Sequence, residues 1–587
     1  MDSISNITAP KSTHIELDNQ KIGIDELSKL IQDENLENIE KLSLRYNNLG
    51  YEAAALISTH RVWSKLRELN LSTNPIGDNG AAAIGDNGNW PNLVELRLSE
   101  CQIGDEGAES IGKNKVWTSL EELILGGNQI GDAGAKAIAQ NMTWKNLKRL
   151  DLAGMQLRDA GAEALGKNET WVNLEVLNLR SSQIDDDGMK AIAQNRSWKN
   201  LKELNLSQNH FSDTGALGKN ETWAKLEVLN LHSSQIDDVG IKAIAKNTPW
   251  KNLKRLNLGG IQIGDGGAEA LGKNETWVNL EELSLNDNQI SDAGIKAIAQ
   301  NTTWKNLKRL NLEGIHIGDT GAIALGMNSS WVNLERLKLG ENSIDIEGGK
   351  AIGSNVVWIH LQVLDLSNNS IADPGIIFIA SNLSWKNMQI VDLPNNIIGD
   401  EGAAAIGRNT TWVNLVRLDI SDNNITDKGA TVIGNNTIWT KLKALSMCLN
   451  QVGAEGCAAI ANNSTWSNLE ELDLQSNQIK NEGARELGQN VVWTKLTKLY
   501  LSSNQIGDEG AIAIAANKWW TNLKDLYLYN NLIGYKGGIA LGRNVSWKSL
   551  EMIELSNSEG IKVEEKNALK SNILFDSKIS FRYEYDL

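Results

Sequence analysis

The twenty-seven residues from Trp117 to Thr143 read WTSLEELILGGNQIGDAGAKAIAQNMT. Their apolar frame is Leu120, Leu123, Leu125 and Ile130 around Asn128, followed by Asp132, Gly134, Ala137, Ile138 and Asn141. The L-x-L pair has the two-residue period of a strand, so Leu123 and Leu125 face one way while Glu122, Ile124 and Gly126 face the other. The D-x-G-A-x-A-I segment that follows reads as a short helix with Asp132 as its N-cap, its small residues letting neighbouring helices approach closely.

Working outward, the same frame recurs along nearly the whole chain. Tryptophans stand at 63, 90, 117, 144, 171, 198, 223, 250, 277, 304, 331, 358, 385, 412, 439, 466, 493, 520 and 547, every 27 residues except for one interval of 25, and only Trp519 lies off this lattice. Leu36 falls at the same phase, and Ile15-Glu16-Leu17 belongs to an earlier, incomplete turn. The predicted organisation is an N-terminal cap with an incomplete first repeat over 1–35, about nineteen repeats over 36–546, of which 198–222 is the short one, and a last strand with a C-terminal cap over 547–587. A length of 587 would suffice for about four ordinary domains, yet 20 Trp against 4 Phe marks one rule copied many times.

Identical strands one period apart must pair in parallel at about 4.8 Å, whereas helices need about 10 Å, so the stack is expected to curve into a horseshoe or superhelix. The expected fold is an α/β solenoid with a parallel sheet on its concave face and short helices on its convex face. Asn74, Asn128, Asn209, Asn288, Asn369, Asn423 and Asn504 are expected to bond backbone groups of the turn leaving each strand. Gly fills one position in eighteen units from Gly80 to Gly537, and Asp stands two residues before it in fourteen, among them Asp78, Asp105, Asp319 and Asp508. Each Trp is expected to turn inward, its burial contributing ~2–3 kcal/mol before entropy is subtracted; a ligand-stacking role would need exposed rings. In the short unit GALGKN replaces GAEALGKN, so the missing pair falls in the helix, where the loss leaves the strand faces unchanged. Units starting at Trp171 and Trp223 agree at 19 of 27 positions, which points to a duplicated two-unit block.

The L-x-x-L-x-L-x-x-N core followed by D-x-G-A-x-A-I resembles the leucine-rich repeat family, and within it the ribonuclease-inhibitor-like subfamily. The resemblance covers about residues 14 to 556; units of that subfamily usually run 28 or 29 residues with a longer helix, and here a Trp triplet is added before the strand. It implies a protein partner held on the concave face and rim. Such arrays occur in intracellular immune sensors, in GTPase-activating proteins and in bacterial effectors.

Several motifs suggest chemistry and have simpler readings. Gly107-AESI-Gly112-Lys113 and Gly161-AEAL-Gly166-Lys167 resemble a phosphate loop, but Asn114 and Asn168 stand where Ser or Thr would hold Mg²⁺. Sequons such as Asn168-Glu-Thr and Asn301-Thr-Thr recur just before the Trp and read as helix-end caps. The six histidines form no metal-ligand pair, and Cys101, Cys448 and Cys457 lack C-x-x-C spacing. No cofactor, metal or catalytic site is expected. The start of the chain lacks the pattern of an ordinary signal peptide, no stretch is long enough for a membrane span, and a reducing compartment is expected.

Function is therefore sought in the columns that the strands present outward. The position between the strand leucines reads Asn178, Asn205, Asn230, Asn257, Ser284 and Asn311, then Asp365, Asp392, Asp419, Ser446 and Asp473. An Asn column can hydrogen-bond along itself; two carboxylates ~5 Å apart repel by about 0.8 kcal/mol in the dielectric of water. With Arg417 offsetting part of this, the Asp column is either a solvated stripe or a docking strip for a basic partner surface or a cation. Further on, Tyr500, Tyr527 and Tyr529 stand beside Lys498 and Asp525, either as interface anchors or as a surface that the terminal cap covers. Another column mixes Arg149, Arg255, Arg309, Arg336 and Arg417 with Glu68, Glu95, Glu122, Glu203, Glu282 and Glu471, which together with a net charge of −16 argues against nucleic acid. The expected function is a non-catalytic protein-binding scaffold, cytoplasmic or exported without an ordinary signal peptide into a host cell as a microbial effector. The alternative is a regulator of another enzyme, such as a GTPase activator.

Overall fold

The structure, a computed structural model, describes residues 13–32, 38–59, 63–555 and 579–580. The chain divides into two compact units, one ending at Gln289 and the other starting at Ile290. In the first, short strands from His14–Glu16 to Glu282–Ser284 pair consecutively and in parallel. In the second, strands from Arg309–Asn311 to Ile579–Ser580 do the same. Short helices, most of eight or nine residues, follow the strands, which gives the expected α/β solenoid. Leu36 and the apolar tail residues between 556 and 578 lie outside the described residues. A strand at Ile579–Ser580, within the C-terminal cap, pairs in parallel with Ile553 and Glu554.

The register follows from the period. Glu122, Leu123 and Ile124 lie opposite Arg149, Leu150 and Asp151, so identical positions form columns. Leu120, Leu123, Leu125 and Ile130 are fully buried, as are the lattice tryptophans from Trp63 to Trp520, while Trp519 is 53% exposed. Rings such as Trp439 and Trp466 stack at 6.4 Å. From Trp90 to Trp547 the lattice indole N–H groups have no hydrogen-bond acceptor. An unmet buried donor costs about 1–3 kcal/mol, comparable to the gain from burying the ring, so Trp serves here through its size and shape.

Three rails of polar side chains cross from repeat to repeat. Asn128 Oδ1 accepts from Cys101 N (2.9 Å) and Ile103 N (3.0 Å) one repeat earlier, and its Nδ2 donates to Leu98 O (2.8 Å) and Leu125 O (2.6 Å). A second rail is the Asn before each Trp. Asn168 Nδ2 donates to Ala139 O (2.7 Å), while its Oδ1 accepts from Thr170 N (2.8 Å) and Trp171 N (3.0 Å). Asn168 and Asn301 are buried, so these sequons are structural, as expected.

The third rail corrects the N-cap reading. Asp132 is the first residue of its own helix, Asp132–Ala139, whose N-cap is Gly131 with no side chain to offer. The carboxylate reaches along the stack instead: Asp105 Oδ1 accepts from Gly131 N (2.7 Å) and Gly134 N (2.8 Å), capping the helix of the next repeat. Asp78, Asp319 and Asp508 each cap the next helix in the same way, and Asp132 does so through Gly161 N alone (2.6 Å). Gly at 134 is explained by this approach, because a Cβ there would sit 2.8 Å from both Asp105 Oδ1 and Ala108 Cβ. The short repeat breaks the rail. Its helix is only Gly215–Gly218, Asp213 turns back onto Gly215 N (2.7 Å), and the following helix is capped by its own Asp237. The strands on either side, Val176–Asn178 and Val228–Asn230, keep register with Glu203–Asn205, so the deletion does fall in the helix.

The two-unit duplication also has a physical counterpart. Just before the strands of the first unit, Lys148 pairs with Glu121, Lys202 with Glu175 and Lys254 with Glu227, each at 2.8 Å. A ladder of ion pairs needs alternating sign, so a two-repeat block copies without placing like charges in contact.

Asn481 occupies the third rail naturally, accepting from Gly507 N and Gly510 N. Asp105→Ala is therefore expected to lower stability by about 1–2 kcal/mol and Asp105→Asn to retain most of it. Chemical denaturation, with hydrogen exchange at Gly131 and Gly134, checks this.

Candidate partner-binding face

The outward column of the strands has a local structural task. In the first unit Asn178, Asn205, Asn230 and Asn257 each accept, through Oδ1, the backbone N–H two residues ahead at 3.1–3.2 Å. This Asx turn holds the chain as it leaves the strand. Along the column Asn178 Nδ2 donates to Asp151 Oδ2 (2.9 Å), an aspartate one strand before the run of asparagines.

In the second unit the column runs Lys338, Asp365, Asp392, Asp419, Ser446, Asp473, Tyr500 and Tyr527 on consecutive strands, so four of the five singled-out acids and two of the tyrosines share one row, while Asp525 stands in the flanking column. Asp365 and Asp419 accept from Ser367 N and Ser421 N at 3.1 Å, and Asp473 from Gln475 N at 2.9 Å. Each uses Oδ1, as the asparagines do. Arg417 Nη2 lies 3.3 Å from Asp419 Oδ2, and Lys338 Nζ lies 4.0 Å from Asp365 Oδ2 while also pairing with Glu313.

Asp392 departs from this pattern because residue 394 is proline, which has no N–H to give. Its Oδ1 is buried without a hydrogen-bond partner; Arg417 Nε stands 3.3 Å away but outside hydrogen-bond geometry. Burial pushes the Asp392 carboxyl up to about 6, with Asp365 and Asp419 adding to the rise and Arg417 and Lys338 opposing it. Burial likewise raises the carboxyl of Asp473.

Tyr500 and Tyr527 stack with ring centroids 4.5 Å apart and planes 8° from parallel. Both are half-buried, as is Tyr529, which stands in the next column near Gln475. Burial pushes the Tyr500 phenol up to about 12. Lys498 lies between Glu471 and Asp525 in the flanking column. Column reading from the sequence missed Lys338 and Pro394. It also missed exposed apolar residues at the strand-exit turns, Ile397 and Leu532 at one repeat position and Leu449 at another two residues earlier, at 51–55% exposure. Aligning the units on Trp would have found them, since the position of Ile397 and Leu532 carries Gln in units such as those of Gln129 and Gln156.

The other sequence features resolve structurally. Gly107 to Lys113 lies inside the helix Asp105–Lys113, and Gly161 to Gly166 inside Arg158–Gly166, so neither forms a phosphate loop. Cys101 and Cys457 are buried and Cys448 half-buried; burial raises all three thiols, Cys101 and Cys448 to about 11. Among the described residues no three His, Cys, Asp or Glu side chains are grouped to hold a metal, and no helix is long and apolar enough to cross a membrane.

The folded state holds the Asp392 proton up to about pH 6, whereas an unfolded chain releases it near 3.9. Stability from this group therefore falls as pH rises from about 4 to 6, and the deficit is fully present above 6. Asp392→Asn is expected to stabilise the protein at pH 8, on the order of 1 kcal/mol after solvent screening, and to leave it unchanged below pH 4. Pro394→Ala, which restores the N–H, is expected to bring the carboxyl back toward the ordinary range in a carbon-detected NMR titration.

No curated protein matches the sequence. Solved structures that the chain resembles include internalin InlF from Listeria monocytogenes, at 22% identity over 64% of this chain and 86% of that one, with a TM-score of 0.42. Another is the leucine-rich-repeat ectodomain of the Arabidopsis receptor kinase HAESA in complex with a peptide hormone, at 18% identity over 93% and 90%, with a TM-score of 0.48. The sequence pattern of the family described as Leucine Rich repeat matches sixteen segments from residues 64–85 to 494–515, together more than half of the chain. With its strands, helices and Asn rail repeating in step with those segments, the chain belongs to the leucine-rich repeat family.

Proposed function

We propose that this protein is a non-catalytic interaction scaffold that grips a partner protein through the exposed sheet face of its second unit, by way of Asp365, Asp392, Asp419 and Asp473 and the adjoining Tyr500, Tyr527, Tyr529, Lys498 and Asp525. One observation carries the reading. The column's structural task needs a single acceptor oxygen, and asparagine performs it at Asn205, Asn230 and Asn257. Carboxylates at the same position add a second, charged oxygen that the Asx turn does not need. Neighbouring pairs repel by about 0.8 kcal/mol even at the dielectric of water. A basic partner surface would offset that repulsion further than Arg417 and Lys338 do.

Stacked tyrosines at the end of the acidic row add the aromatic area with few rotatable bonds that anchors interfaces. Three free cysteines with raised thiols fit a reducing compartment, the cytoplasm or the interior of a host cell. The ribonuclease-inhibitor-like subfamily remains the resemblance that best describes the alternation of strand, Asn turn and short helix. A microbial effector or an intracellular recognition protein is the role that fits these features together.

The test is recovery of a partner from source-cell lysate by the wild type and by the variant with Asp365, Asp419 and Asp473 changed to Asn, across 50–300 mM salt. The account expects unchanged folding, since the Asx turns survive, with loss of the partner and of the salt dependence of its capture. Equal recovery with the same salt dependence would overturn it.

A further inference from the structure

Each repeat of the second unit turns twice, once from strand to helix and once from helix to the next strand, and the two edges so formed carry opposite charge. The nine strand-to-helix turns with their first helical residues, from 313–321 to 529–537, hold fourteen Asp or Glu against three Lys. The ten helix-to-strand turns, from 300–308 to 543–551, hold eleven Lys or Arg against three Glu, in a chain whose net charge is −16. Much of the acidic edge is the Asp rail. The basic edge has no such duty. Lys443 pairs with Glu470 (2.8 Å) and Lys524 with Glu551 (3.1 Å), but Arg408, Lys441, Lys495, Lys518, Arg543 and Lys548 are exposed and form no ion pair among the described residues. A cation at Arg408 or Arg543 suits the negative end of the helix it follows; Lys441, Lys495 and Lys548 come after the Trp, beyond that end.

Apolar side chains stand among these cations at fixed repeat positions. Two residues before the Trp are Val356, Leu383, Val491 and Val545, 54–84% exposed; one residue after it are Val332, Ile359 and Val413. Val356 and Leu383 lie in consecutive repeats, as do Val332 and Ile359. Trp519 is the one exposed tryptophan of the twenty. Its backbone N–H does the repeat's work, donating to Asn517 Oδ1 (2.8 Å), whereas the indole has no part in the fold. We infer that this edge seats the protein on an anionic phospholipid surface, with the valines, Leu383 and Trp519 entering the headgroup layer and Lys518, Arg543 and Lys548 meeting lipid phosphates. This goes beyond the scaffold reading and uses a different face. In Arg543-Asn-Val545-Ser-Trp547-Lys548 an 84% exposed valine stands between two cations. A protein would need a separate pocket for each protruding tip and an acid beside each pocket. A bilayer interface supplies both all along the edge: phosphates above, acyl chains just below, and the depth that indoles favour. Lys and Arg stems can lie along the apolar layer while their heads stay at the phosphates. Nucleic acid would meet the cations and leave the tips in water. Repulsion from the acidic edge is screened, because an eight-residue helix sets it ~12 Å away and the Debye length is ~8 Å at physiological salt.

The probes are vesicles of phosphatidylcholine with and without phosphatidylserine, sedimented with the full chain. The inference expects binding to the anionic vesicles, weakened by salt, and little to the neutral ones. Lys518→Thr, Arg543→Gln, Lys548→Thr together are expected to weaken it on the order of a hundredfold, and Val491→Thr, Trp519→Thr, Val545→Thr by about tenfold or more. Thr or Gln already stands at each of these positions in other repeats, as at Thr302, Thr303, Gln300 and Thr440, so both variants keep the fold. Lipids with brominated acyl chains should quench part of the tryptophan emission of the wild type and none in Trp519→Thr. The Asp365, Asp419 and Asp473 to Asn variant should bind vesicles no less tightly than wild type, which separates this edge from the sheet face. Equal binding to neutral and anionic vesicles, no binding to either, or undiminished binding by either triple variant overturns the inference.

Discussion

The structure depends on side chains of one repeat satisfying the backbone of another. A three-residue strand and an eight-residue helix leave most of their terminal N–H and C=O groups unmet within the repeat, and burying such groups unpaired would cost more than the apolar core returns. Asn128 closes two N–H groups and a carbonyl of the preceding repeat, Asn168 reaches back to Ala139 O, and Asp105 reaches forward to Gly131 and Gly134. A constant period is the consequence. Insertion or loss of residues between rails would pull the Asn and Asp of that repeat off their targets, and the one tolerated deletion, in the Gly215–Gly218 helix, removes a rail contact that Asp237 then supplies locally.

Because the rails and the buried tryptophans carry the fold, the outward strand positions are left almost free. Where Asn or Asp stands there, its one structural duty is an oxygen for the turn, and that frees the remaining atoms for recognition. The departures then stand out against a uniform background. Pro394 withdraws the N–H that Asp392 would use, and Ile397 and Leu449 hold strained backbone at the solvent edge. All three lie in the second unit, beside the acidic row and ahead of the stacked tyrosines.

Much of this was legible in the sequence. The Trp interval revealed the repeat, the L-x-L pair its strand, Asn128 its turn bond, and GALGKN the place of the deletion. The columns named from the sequence are the columns of the sheet, and Asp365, Asp392, Asp419 and Asp473 share one row as expected. Contacts across the stack were harder to read. A period says which positions are equivalent but not which neighbour a side chain reaches, so the sequence pattern assigns Asp132 to its own helix whereas its carboxylate caps the next. The strain at Ile397 and Leu449 was hidden for a related reason: a φ value is set by the turn that the Asn rail imposes, not by the residue that occupies it.

Reciprocal closure can be measured directly at Asn423. Its Oδ1 accepts from Asn396 N (3.0 Å) and Ile398 N (2.9 Å), both in the preceding repeat. Native-state hydrogen exchange on Asn423→Ala should show protection lost at Asn396 and Ile398 before it is lost within the mutated repeat itself. Loss confined to the residues around 423, with Asn396 and Ile398 still protected, would contradict the account.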